Sequence, residues 1–248
     1  MLPADWTLSN YLSFSRADQP ALPTGGSEEM GTLLPPIETL QEVWASGVTY
    51  LRSRNERQAE SSVADVYTSV YDAVRPELFF KSAGWRVVGP GKTVRIRRDS
   101  AWNVPEPELT LVINAHREIV GYTAGNDMSS RSIEGENPLY LPQAKSYDGS
   151  AALGPSIVLC DVSDLLELTI HLSILRDEIE VYSGDTSVPM MKRKLPELVE
   201  FLTRELSFPY GAFLMTGTGI VPDFPFTLRV GDVVSVTVGE LTLTNVVG

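Results

Sequence analysis

Glu106 and Glu108 stand one residue apart in Pro105-Glu106-Pro107-Glu108, ahead of Asp127 in Gly125-Asn126-Asp127-Met128 and Lys145 in Gln143-Ala144-Lys145. Successive side chains of an extended strand point to opposite faces, so alternate residues share a face. Glu106 and Glu108 therefore project together. Two carboxylates side by side repel unless positive charge sits between them. A hard divalent cation is the economical answer. Mg²⁺ takes oxygen ligands in an octahedral array, is often held by few carboxylates, and completes its shell with water and substrate.

The elements that must position these groups are read from periodicity. Residues 1–36 are irregular, with Pro3, Pro20, Pro23, Pro35, Pro36 and the flexible Gly25-Gly26-Ser27-Glu28-Glu29. From Ile37 onward, Leu40, Val43, Trp44, Gly47, Val48 and Leu51 recur at helical spacing, which predicts a helix over 37–51 running into the charged stretch 52–60. Ser61 or Ser62 caps a second helix, whose stripe of Val63, Val66, Tyr67, Val70 and Tyr71 reads as core packing and which Pro76 ends. Beyond Pro76 the period falls towards two. Strands are predicted over 78–80, 93–96, 109–113, 119–123, 157–160, 166–175, 179–182, 213–216, 232–238 and 241–246, with a hairpin turn over 114–117. Residues 132–150 read as a long polar loop of the kind that is functional or disordered, and residues 190–206 as a helix with Leu195, Leu198, Val199 and Leu202 inward. The sum is an α+β chain in which strands dominate. An irregular and helical segment, 1–75, precedes a metal-binding β domain, 76–248.

Bulk properties exclude several function classes. The 248 residues are 43% hydrophobic and 21% charged, the balance of an ordinary globular protein. No apolar run reaches bilayer-spanning length, and the first ten residues lack a basic start with an apolar run behind it, so a cytoplasmic setting with no signal peptide is expected. The net charge of −12 argues against nucleic acid as a partner. It leaves an anionic small substrate open, because a bound cation dominates the charge of its site. The single cysteine, Cys160, cannot form a disulfide within the chain and reads as a buried small hydrophobe.

Pro76-Glu77-Leu78-Phe79-Phe80-Lys81-Ser82, Pro105-Glu106-Pro107-Glu108-Leu109, the run from Gly121 through Asp127 to Arg131, Ala144-Lys145-Ser146-Tyr147-Asp148 and Leu153-Gly154-Pro155 come in one order along the chain. Thr216-Gly217-Thr218-Gly219, Gly231-Asp232 and Leu243-Thr244-Asn245 follow. In this order and spacing the chain resembles the fumarylacetoacetate hydrolase superfamily over residues 37–248. Within it, Ile96-Arg97-Arg98-Asp99-Ser100, the stretch from Ile133 to Gln143, and Thr218-Gly219-Ile220-Val221-Pro222 resemble dehydratases of 2-keto-3-deoxy sugar acids, those acting on pentonates such as arabinonate or xylonate. Those dehydratases usually carry more sequence ahead of the first helix.

The resemblance implies a mixed β-sandwich or β-roll core and a homodimer or homotetramer. It implies Glu106, Glu108 and Asp127 as ligands of Mg²⁺, with Mn²⁺ open. Three carboxylates leave three octahedral positions, of which a 2-keto acid fills two and water the third. The cation then acts as a Lewis acid for the enolate left when a C3 proton departs. Lys145 matches the active-site lysine, as a neutral base or an enolate partner; without the resemblance it reads as a surface lysine. Glu77 is the candidate acid for the C4 hydroxyl, on a level with an exposed helix-end glutamate. Arg131 matches an arginine near the substrate, with a salt bridge to a structural carboxylate as the other reading. Lys81, Ser82, Thr218 and Gly217 are the implied substrate-binding positions, although Gly217 with Gly219 also reads as a tight turn. Loss of the C4 hydroxyl and tautomerisation would deliver 2,5-dioxopentanoate.

Carbon–carbon bond hydrolases of the superfamily use a lid histidine, with a glutamate three residues on, to activate water. Here Ser53 falls at the histidine position and Glu56 at the glutamate position. Serine is no general base near neutral pH. The two histidines fall elsewhere, His116 in the predicted hairpin turn and His171 within a predicted strand. The expectation is a dehydratase, with a hydrolase of acylpyruvates as the alternative, Glu56 or Glu60 then activating water. Decarboxylation of oxaloacetate-like acids and non-catalytic binding of 2-keto acids are the remaining readings.

Overall fold

The structure, a computed structural model, describes residues 6–22, 31–52 and 69–248. Ser53, Glu56, Glu60 and most of the expected second helix lie outside the described residues. Among the described residues no helix is long and apolar enough to cross a membrane.

Two sheets carry the fold. The larger has six strands in the order β2-β1-β11-β5-β6-β8, namely Glu77–Ala83, Glu42–Gly47, Ala212–Met215, Pro107–Ile113, Ile119–Asp127 and Ala151–Leu159. The smaller has five in the order β10-β9-β12-β13-β3, namely Ile179–Ser187, Thr169–Arg176, Val233–Val238, Leu241–Val247 and Thr93–Val94. A two-stranded ladder joins β4 (Asn103–Val104) to β7 (Ser129–Ser130). The result is the strand-dominated α+β architecture anticipated from the sequence.

Alternation along the strands of the larger sheet sorts its side chains onto two faces. Leu109, Leu111, Ile113 and Leu214 face the smaller sheet and join Leu172, Val236 and Leu243 in one core. Val43, Ala45, Val112, Leu153, Phe213 and Met215 point the other way into a second core. Val88, beyond the end of β2, pairs in parallel with Ala152 of β8. That bridge ties the chain that follows β2 to β8 at the other edge, so the larger sheet rolls around the second core.

Register brings one end of this sheet into a common neighbourhood. β1 and β11 run parallel, while β11–β5, β5–β6 and β6–β8 run antiparallel. Gly47 opposes Glu77, Pro107 opposes Asn126, and Asp127 opposes Ala151. The start of β2, the end of β11, the start of β5 and the end of β6 therefore meet at one rim.

Two expectations are corrected. The segment read as a helix over 37–51 contains strand β1, sandwiched between β2 and β11. Its apolar residues fit both periods over so short a run, and pairing on both sides decides for strand. The segment read as a polar loop over 132–150 is largely helical. It holds α2 (Arg131–Glu136), a 3₁₀ turn at Pro138–Tyr140 and α3 (Leu141–Lys145), after the short α1 (Leu8–Leu12) near the start of the chain. Asn137 caps the 3₁₀ turn by accepting from the Leu139 N–H, and Pro138 and Pro142 occupy first-turn positions where no N–H is needed. Prolines that mark a loop in sequence here open helical turns. The expected helix over 190–206 is shorter, Leu195–Thr203, and the strand expected over 166–175 begins at Thr169.

Candidate metal centre and catalytic site

Glu106, just ahead of β5, and Glu108 within it share the rolled face with Thr110 and Val112. Asp127 ends β6 on the same face. All three carboxylates are buried, and one oxygen from each lies within 4.8 Å of the others. The paired-glutamate reading of the sequence thus describes this rim, with Asp127 delivered by the neighbouring strand.

Lys145 closes the group. It ends α3, has no solvent exposure, and donates from Nζ to Glu106 Oε2 at 2.7 Å, Asp127 Oδ2 at 3.0 Å and Ser129 Oγ at 2.5 Å. Lys81, on the rolled face of β2, is equally buried. Its Nζ lies 2.5 Å from Asp127 Oδ1 and donates to the carbonyls of Met128 and Lys145. Burial pushes the Lys81 ammonium below its usual range, while neighbouring Asp127 works in the opposite sense. Arg131, at the start of α2, donates to Glu106 Oε1 at 3.1 Å, lies 4.0 Å from Glu134 Oε2, and holds its guanidinium 5.8 Å from the Trp102 ring centroid. Of the two readings of Arg131, the salt bridge is what this geometry displays, and its partner is one of the three clustered carboxylates.

Glu108 differs from the other two. Its Oε2 accepts the Gly217 N–H at 2.6 Å, and among the described residues no ammonium or guanidinium is bonded to it. Burial raises its carboxyl well above the ordinary carboxylate range, and the charges of Asp127 and Glu106 raise it further. Lys145 and the Gly217 amide only partly oppose this. The cluster is short of positive charge at Glu108. An all-oxygen carboxylate set with one uncompensated member fits a hard divalent cation.

Gly217 has φ +91°, and a Cβ there would lie 2.1 Å from Thr49 Oγ1, so the position requires glycine. The buried Thr218 hydroxyl both donates to the Ile220 carbonyl and accepts its N–H, locking the turn after β11. Glu77 opens β2 at the same rim. Its carboxylate occupies the space beside Gly47, and Ser46 Oγ donates to its carbonyl at 3.0 Å. Glu77 is a strand residue, which removes its helix-end reading. Ser82 follows Lys81 at a register shift in β2, where it pairs with Val43, and its hydroxyl donates to the Ala83 carbonyl. The structure does not bring Ser82 to the cluster.

The histidines are remote. His116 lies in the β5–β6 turn, with Nε2 3.1 Å from the Ser13 carbonyl oxygen. His171 sits on β9 and pairs with Asp185 at 2.8 Å. Cys160 is half-buried against the apolar core, and its thiol is raised by burial. Sequence reasoning passed over Ser129 and Thr49. Ser129 stands two after Asp127, a spacing that could have suggested a shared face. Thr49 carried no such signal, because its contact depends on β1 lying beside β11.

The model of the fumarylacetoacetate hydrolase C-terminal family matches residues 42–248. A probable 2-keto-3-deoxyxylonate dehydratase of Haloferax volcanii is 51% identical over 207 residues, spanning 83% of this chain and 71% of that protein. The 2-dehydro-3-deoxy-D-arabinonate dehydratase of Saccharolobus solfataricus is 43% identical over 206 residues, spanning 81% and 69%. A solved 2-keto-3-deoxy-D-arabinonate dehydratase complexed with magnesium and 2,5-dioxopentanoate superposes with a TM-score of 0.77 at 41% identity, covering 84% of this chain and 73% of that one. With this match over most of its length, and the carboxylate cluster inside the matched region, the chain belongs to the fumarylacetoacetate hydrolase family.

Proposed function

We propose that the protein is a metal-dependent hydro-lyase that dehydrates 2-keto-3-deoxypentonates to 2,5-dioxopentanoate. The observation that carries this is the buried Glu106–Glu108–Asp127 cluster with Lys145 bonded to two of its members, in a chain similar to dehydratases of this substrate class. Glu106, Glu108 and Asp127 would hold Mg²⁺ or Mn²⁺, which when bound supplies Lewis acidity to the 2-keto group.

The remaining chemistry belongs to the chain. Lys145 takes the C3 proton as the neutral amine, giving up one of the three hydrogen bonds that its ammonium donates to Glu106, Asp127 and Ser129. Glu77, at the same rim, gives a proton to the C4 oxygen as the C4–O bond breaks, so the hydroxyl leaves as water. The resulting enone tautomerises to the 2,5-dioxo acid with a net loss of one water. Arg131 holds Glu106 from the side opposite Lys145. Lys81 fixes Asp127 and, through the Lys145 carbonyl, the end of α3. The Thr218 hydroxyl is engaged within its own turn, so backbone amides there are the donors left for a substrate carboxylate. A histidine-based hydrolase is disfavoured because both histidines lie away from the rim. We also propose a homodimer or homotetramer, supported by the apolar cleft of about 480 Å³ that Trp6, Leu8, Tyr11, Leu34 and Ile37 line against β8. Light scattering reads this state directly.

The test is a product assay with Mg²⁺, giving racemic 2-keto-3-deoxypentonate in one reaction and an acylpyruvate in another. The expected result is loss of one water from the sugar acid, read by mass spectrometry. Pyruvate from the acylpyruvate, with the sugar acid untouched, would overturn the dehydratase in favour of a hydrolase.

A further inference from the structure

Val48 has φ +54° while buried, a conformation that is a genuine outlier for a β-branched residue. It stands between Gly47, opposite Glu77, and Thr49. Strain of this kind persists where surrounding bonds over-determine the backbone. Those bonds are present at Thr49. Its hydroxyl donates to the Thr216 carbonyl at 2.7 Å, and its own carbonyl accepts the Lys192 N–H at 2.9 Å. One residue on, Tyr50 bridges to Met191.

Thr216 is pinned from its other side. Its N–H and its hydroxyl both donate to the Leu109 carbonyl, at 3.1 and 2.9 Å. Leu109 is the residue after Glu108. The turn at Thr216–Gly217 is therefore clamped between β5 and Thr49, and its next N–H, from Gly217, donates to Glu108 Oε2 at 2.6 Å. The Thr49 side chain also packs where a Gly217 side chain would be. Among the described residues Glu108 has this amide and no ion pair to a basic side chain to orient it.

We infer that Thr49, held by the strained Val48 backbone, is a positioning residue for the metal ligand Glu108, acting through the Thr216–Gly217 turn. The inference rests on the reading of Glu106, Glu108 and Asp127 as a metal site. Thr49 fixes the peptide plane whose N–H selects the orientation of the Glu108 carboxylate. Groups that orient ligating carboxylates alter metal affinity by roughly 10–100-fold when lost.

The experiment is Mn²⁺ binding to the metal-stripped full chain, followed by calorimetry, for wild type, Thr49→Val, Thr49→Ser and Val48→Gly. Thr49→Val keeps the shape and removes the hydroxyl; it is expected to weaken Mn²⁺ binding about tenfold. Thr49→Ser restores the donor and is expected to bind within about threefold of wild type, a rescue that packing alone would not give. Val48→Gly relieves the strain but also deletes a buried side chain, so its Mn²⁺ binding should weaken whether or not its melting temperature falls. Wild type that binds no Mn²⁺ would overturn the metal site itself. Wild type that binds, with a folded Thr49→Val equal to it, would overturn the role of Thr49. Should Thr49→Val fail to fold, Val48→Gly binding Mn²⁺ as wild type does would overturn it equally.

Discussion

Lys145 Nζ lies 2.7 Å from Glu106 Oε2, with neither side chain open to solvent. A lysine bonded to a metal-ligating carboxylate is well placed to exchange protons with a substrate held by that metal. It also contributes charge that a cation must tolerate. The two roles separate in Lys145→Met. Turnover of the sugar acid should fall by about 10²–10⁴-fold, the range for loss of a general base. Mn²⁺ affinity should hold or improve, since a competing positive charge is gone. Steady-state rates with a parallel binding titration check both, and full activity in this variant would refute proton transfer at Lys145.

Glu108→Gln should move apo stability and metal binding in opposite directions. The amide oxygen can still accept the Gly217 N–H, while the cost of keeping a buried carboxyl beside Asp127 and Glu106 is removed. The melting temperature without metal should therefore rise or stay level. Added Mg²⁺ should raise the melting temperature of wild type by mass action and leave that of the variant unmoved. An undiminished Mg²⁺ shift in Glu108→Gln would remove Glu108 from the ligand set.

The raised Glu108 carboxyl gives the pH dependence its sign. Above the ordinary value of 4.5, the unfolded chain has released this proton and the folded metal-free chain still holds it. The folded state then binds more protons, so this contribution to stability is full below 4.5 and is lost as pH rises through the elevated value. Metal binding must displace the same proton, so apparent Mg²⁺ affinity should fall as pH drops through that range. Calorimetry in buffers of different ionisation enthalpy should register proton release on binding. An Mg²⁺ affinity that does not change with pH would contradict it.

What was legible in the sequence divides along physical lines. Glu106 and Glu108 were readable because strand alternation is a local rule, and the β5–β6 hairpin because the turn between them is short. Strand β1 was misread. Val43, Trp44 and Gly47 suit a helix stripe, and only pairing with β2 and with β11, far along the chain, makes them a strand. The helical character of residues 131–145 is hidden because Pro138 and Pro142 mark loops as readily as they start helical turns. The Lys81–Asp127 pair was invisible for a further reason: it depends on the sheet rolling until β2 meets the end of α3, which no local pattern encodes.

Lys81→Met tests how that closure is held. The ammonium is fully buried, ion-paired to Asp127 and bonded to two carbonyls. Removing it leaves Asp127 to Lys145 alone and two carbonyls without this donor, which costs up to about 3–5 kcal/mol for the broken pair. The metal-free variant should melt well below wild type. Mg²⁺ should then recover more stability in the variant than it adds to wild type, because a cation on Asp127 replaces charge that the substitution removed. Thermal melts at matched Mg²⁺ concentrations read this directly. If Mg²⁺ raised both proteins equally, Lys81 and the metal would not share Asp127, and the ion pair would serve the roll alone.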